Sequence, residues 1–95
     1  MAPALPATLT LAQASATASG LRAELERAGA SGSAWEVDAS ALSEFDTSAL
    51  AVLLELQRAA RARGLGLAVA SPPAKLRQLA ALYGVDGLLG LQPGT

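Results

Sequence analysis

The order of elements predicts an α/β domain, a mostly parallel or mixed sheet with alternating helices. Three observations carry that reading. Short β-patterned runs alternate with longer stretches of helical period. The chain is 95 residues, the length of one domain, and no repeat or low-complexity linker divides it. Hydrophobic residues make up 52% of it, enough for a core without staples. Ala and Leu supply 41 of the 95 residues, a bias that blurs helical periodicity because Ala fits either face.

Taken in order, Thr8-Leu9-Thr10-Leu11 reads as a short strand. The first charge is Arg22, so residues 1–21 raise the question of a leader peptide with Ala12-Gln13-Ala14 as its cleavage site. The positive n-region is missing and Pro3 and Pro6 interrupt the apolar run, so a strand after a frayed start is the better reading. Ser15 to Ala28 is helical, with Ala18, Leu21, Leu25 and Ala28 on one side, and Gly29 ends it. Ser31-Gly32-Ser33 is a loop. In the strand Trp35 to Ala39, residues Trp35, Val37 and Ala39 share a face.

The second helix runs from Thr47 to Arg63 with Asp46 or Thr47 as its cap. With Asp46 as the cap, Phe45 and Leu50 take the two positions of a hydrophobic staple. Arg58, Arg61 and Arg63 suit the negative end of the helix dipole, and Gly64 stops the helix. Leu65 to Ala70 is a buried strand. Ser71-Pro72 opens a third helix as cap and N1 proline. Leu76, Leu79, Ala80 and Tyr83 form its apolar stripe, and Gly84 is its stop. Val85 to Leu91 is apolar enough for a short strand or helix that closes the core.

The composition narrows the chemistry. There is no Cys and no His, which removes thiolate sites, the usual general base and the commonest metal ligand. A net charge of -1 gives no footprint for nucleic acid and no pull towards anionic lipid. No run of about 18 apolar residues predicts a membrane span. Neither phosphate-cradling glycine loop is present. Glu44 with Asp46, and Glu24 with Glu26, read as solvated carboxylates rather than as acid–base pairs. The expectation is a domain without catalysis, cofactor or metal.

One constellation remains, from Val37 to Leu50. A strand ends, a loop crosses, and a helix begins on Asp46-Thr47-Ser48, where backbone N–H groups lack internal partners. A helix start attracts anions, and phosphate added there changes the charge by nearly two units. Simple capping explains these residues as well. Leu50, Val52, Leu53, Leu54 and Leu56 cover more of the helix than one sheet needs, through Ala/Leu bias or because a partner covers the surplus.

At this constellation the chain resembles STAS domains, the fold of sulfate-transporter tails and anti-sigma factor antagonists. Val37-Asp38-Ala39-Ser40 is similar to the family's V-D-L-S strand end, and Phe45-Asp46-Thr47-Ser48-Ala49-Leu50 to its V-D-[ST]-[ST]-G-L helix start. Arg63-Gly64 matches its helix-to-strand turn. The likeness runs from about Thr8 to Leu89, with Val37 to Leu56 its specific part. Within the family it is nearest to the MlaB-type subunits of Mla phospholipid ABC transporters. They share Asp-Thr at the helix start, a Leu-rich helix, and a late run matched by Leu79-Ala80-Ala81-Leu82-Tyr83. The chain departs at Ala49, where many members have Gly, and at Ala12-Gln13-Ala14-Ser15, where the usual G-E-[LI]-D is missing.

The resemblance implies a non-catalytic adaptor that binds the ATPase subunit of an Mla-type transporter. It would be cytoplasmic, and peripheral to the inner membrane through that partner. Ser43, Asp46, Thr47 and Ser48 would form the partner-binding or regulatory site. The alternative it implies is an anti-sigma factor antagonist, with an anti-sigma factor kinase as partner and Thr47 as the phosphorylated residue.

Overall fold

A computed structural model describes residues 3–28 and 34–91. The chain forms β1 (Thr8–Leu9), α1 (Leu11–Ala28), β2 (Ala34–Asp38), β3 (Glu44–Phe45), α2 (Thr47–Ala62), β4 (Gly66–Ala70) and α3 (Ala74–Leu82). The expected α/β architecture is present, and every strand pairing among the described residues is parallel. β2 pairs with β4, with Val37 opposite Val69. β1 pairs with β3, with Leu9 opposite Phe45. Single bridges extend the β2–β4 pair on both sides: Ala4 lies against Asp38 of β2, and Leu91 against Val69 of β4.

α1 packs beside α2, and α2 packs on β4. Leu9, Leu25, Val37, Leu53, Leu56, Val69, Leu76 and Leu89 are sealed inside one core. Full burial of one such side chain is worth about 1.5–3 kcal/mol. Leu50, Val52, Leu53 and Leu56 are all buried and Leu54 is half-buried. The wide apolar arc of α2 is therefore used mostly inside the molecule, because α1 covers a flank that one sheet would leave open.

The structure corrects several expectations. The first strand stops at Leu9, and α1 starts at Leu11 rather than Ser15. Thr10-Leu11-Ala12-Gln13 is half of a capping box: the Gln13 side-chain oxygen accepts from the Thr10 N–H at 3.0 Å and from its hydroxyl at 2.8 Å. The loop stop at Gly29 and Ser31-Gly32-Ser33 lies outside the described residues. The segment before α2 contains β3, a strand too short for any periodicity to reveal.

At α3, Ser71-Pro72 is not the start of the helix. Pro73 is the N-cap, extended at φ -62° and ψ 149°, with no side-chain hydrogen bond. Pro72 precedes another proline, and the ring that follows it disfavours helical backbone. Ser71 stands at φ 53°, the left-handed region. Tyr83 is exposed rather than part of a buried stripe, because α3 ends at Leu82 and leaves Tyr83 as its C-cap.

α2 and α3 end alike. Gly64 and Gly84 have positive φ, and each helix closes with two backbone bonds. After α2, Leu65 N–H donates to Ala60 O and Gly64 N–H to Arg61 O. After α3, Val85 donates to Ala80 and Gly84 to Ala81. The stretch from Val85 to Leu91 is a series of turns ending in the Leu91 bridge, not a strand or helix.

Candidate functional site

The pairing of β1 with β3 builds the site. Leu9 and Phe45 are register partners, so Thr10 and Asp46 follow side by side, and each opens a helix. The positive ends of α1 and α2 therefore lie together at the ends of adjacent parallel strands. The Ser43 and Glu44 N–H groups both donate to Ala7 O, and the Ser43 hydroxyl reaches the same oxygen at 3.3 Å. Ser43 thus ties the crossing loop to the N-terminal segment.

Asp46 is the N-cap of α2, and its carboxylate accepts from the Ser48 N–H at 2.8 Å. That backbone bond, opposed by a smaller desolvation effect, holds the carboxyl below its ordinary value. The Ser48 hydroxyl and the Leu11 N–H at the start of α1 lower it further. Asp46 is therefore ionised at neutral pH, with the N-termini of both helices beside it. Asp38 plays a different part: its carboxylate accepts from the Ser40 N–H at 2.9 Å and closes a turn after β2.

Thr47 is exposed at the first position of α2, and its hydroxyl makes no hydrogen bond among the described residues. With Asp46 as the cap, Thr47 is free of that duty. Phe45 and Leu50 occupy the staple positions, Leu50 buried and Phe45 half-buried against the core.

Thr47 also forms one wall of an open apolar groove of about 310 Å³, with Leu50, Ala51, Leu54, Tyr83 and Val85. Tyr83 is 58% exposed there. The groove joins the Asp-Thr helix start to the late Leu-Ala-Ala-Leu-Tyr run, which lie far apart in sequence. Gln57 holds the second wall in place. Its side-chain amide donates to Leu88 O, while its carbonyl accepts from the Leu67 N–H at 3.2 Å, fastening the C-terminal turns to α2 and β4. Tyr83, Val85 and Gln57 were not among the expected site residues. The late run that contains Tyr83 was the one signal in the sequence for this wall.

Larger grooves lie elsewhere on the described residues. One of about 430 Å³ is lined by Arg22, Glu26, Glu55, Arg58 and Arg63, and one of about 520 Å³ by Arg77, Gln78, Asp86 and Leu91 among others. Neither touches Ser43, Asp46, Thr47 or Ser48. Among the described residues no helix is long and apolar enough to cross a membrane, and no cluster of three or more His, Cys, Asp or Glu could hold a metal.

Comparison with known proteins gives one family match. The family model described as MlaB, STAS domain matches residues 7–91. No curated protein and no solved structure matches the chain. The match spans both helix starts, the Asp-Thr junction and the late tyrosine. The chain belongs to the MlaB-type STAS domain family.

Proposed function

We propose that this chain is a non-catalytic adaptor that docks on the ATPase of an Mla-type phospholipid ABC transporter and modulates it. It would work in the cytoplasm and reach the inner membrane only through that partner. The observation that carries the reading is the apolar groove beside Thr47, which joins both MlaB-like motifs on one exposed face. An exposed aromatic beside a shallow apolar hollow suits a partner's side chain. Asp46 caps the helix internally and leaves Thr47 and the groove walls for contact. Ser43 and Ser48 support that face through the loop and the first turn of α2.

Co-expression with an Mla-type ABC ATPase from the same genome tests the reading. A stable complex that copurifies is the expected result. Recovery of this chain alone, with folded ATPase present, contradicts it. A second reading rests on the unbonded Thr47 hydroxyl: phosphorylation there by an anti-sigma factor kinase would place a dianion at two helix N-termini. Neighbouring genes for a kinase and a sigma factor, in place of a transporter, would favour it.

A further inference from the structure

The outer face of α2 has an order that docking at its start does not explain. Thr47, Ala51, Leu54, Arg58 and Arg61 recur at steps of four and three residues and so form one seam along the outer face. Thr47, Ala51, Arg58 and Arg61 are exposed and Leu54 is half-buried. The seam is graded along its length. Asp46 gives its start a negative charge, Ala51 and Leu54 make its middle apolar, and two cations mark its end. Neither Arg58 nor Arg61 forms an ion pair among the described residues; the one present is Arg22 with Glu55, at 2.6 Å. Leu54 lies seven residues after Thr47 and seven before Arg61.

A surface that is acidic at one end, apolar in the middle and basic at the other matches itself when reversed. Laid antiparallel about a two-fold axis at Leu54, it sets each copy's Arg61 against the other's Asp46-Thr47 and places the two Leu54 side chains together. We propose that the chain forms a homodimer through antiparallel α2 helices centred on Leu54. Its two-fold symmetry is the isologous arrangement most dimers adopt. A single helix pair is a small interface, so the dimer is transient and salt-sensitive. It covers the groove wall at Thr47, so dimer and ATPase complex exclude each other. The dimer itself does not depend on the ATPase reading and needs only the purified chain.

Analytical ultracentrifugation over a concentration series tests it. The expected result is a reversible monomer–dimer equilibrium. It weakens as salt rises from about 0.1 M to about 1 M, which shortens the Debye length from ~10 Å to ~3 Å. Arg61→Glu and Thr47→Arg should each weaken the dimer about tenfold or more through like-charge contact, and the two combined should restore it. Thermal unfolding checks that each variant is folded. The sequence has no Cys, so Leu54→Cys introduces a lone thiol on the axis, and mild oxidation should link it to its own copy. Ser19→Cys on exposed α1 should not link. Three results would overturn the proposal: a monomer at every concentration, a dimer indifferent to Arg61→Glu, or folded double-variant chains that stay monomeric. If Arg61→Glu weakens only the ATPase complex, the basic end belongs to that partner and the homodimer is excluded.

Discussion

The molecule enters α2 and α3 by two strand-to-helix junctions that look alike in sequence and differ in construction. After β3, Asp46 caps α2 with its carboxylate, and Thr47 follows exposed with an unengaged hydroxyl. After β4, Ser71 is held in left-handed backbone, Pro72 is buried, and Pro73 caps α3 without a side-chain bond. The second junction is fixed by ring sterics. The first is fixed by one carboxylate and leaves its neighbours for other work. A polar residue before a helix is thus no mark of function by itself. What separates the junctions is which side chain closes the helix and what remains unoccupied beside it.

Substitutions at the two caps should break this comparison most visibly. Asp46→Ala should lower the urea midpoint by more than any other change here, because the Ser48 N–H loses its acceptor. Pro73→Ala removes no side-chain bond. Its cost should be limited to the unfolded-chain entropy that proline suppresses, about 0.4–1 kcal/mol.

Ser71→Gly should change stability in the opposite direction. Glycine relieves the left-handed strain at φ 53°, while its greater freedom when unfolded offsets part of the gain. The expected net effect is a stabilisation of about 0.5 kcal/mol. The same change at Asp46 should not stabilise, since its φ of -129° is extended and unstrained.

The smallest expected effect is the pH dependence of Asp46. Its folded carboxyl titrates below the ordinary value of 3.8. The stabilisation from ionised Asp46 is therefore complete above that value and is lost as pH falls through the lower folded one. Asn caps a helix about as well as Asp but carries no charge. Any advantage of wild type over Asp46→Asn at neutral pH should shrink below about pH 4 in paired unfolding curves. The pair Pro73→Ala and wild type should show no matching change.

The same contrast explains what the sequence could disclose. α2 was legible almost to the residue, because Asp46, the staple positions and Gly64 all mark its ends. The start of α1 was hidden, since Thr8-Leu9-Thr10-Leu11 alternates like a strand while Thr10 and Gln13 spell a cap. β3 has two residues and is specified by its bonds to Ala7 and its pairing with β1, which no local pattern encodes. Tyr83 fitted a helical stripe by spacing, but the helix ends before it and turns it outward. At the candidate site, Asp46, Thr47 and Ser48 were visible as a motif. The groove was not, because Val85 and Tyr83 reach Thr47 only through the tertiary fold and the Gln57 fastening.

The most direct test of the account compares one charge at the two junctions. Thr47→Glu adds a negative charge at a helix start, which the dipole tolerates, so the melting temperature of the isolated chain should barely move. At a docked interface that charge must lose water, so pull-down of an Mla-type ABC ATPase from the same genome should fail. Lys75→Glu, near the start of α3, should leave both readings unchanged. A folded Thr47→Glu chain that captures the ATPase as well as wild type would remove Thr47 from the interface and contradict the account.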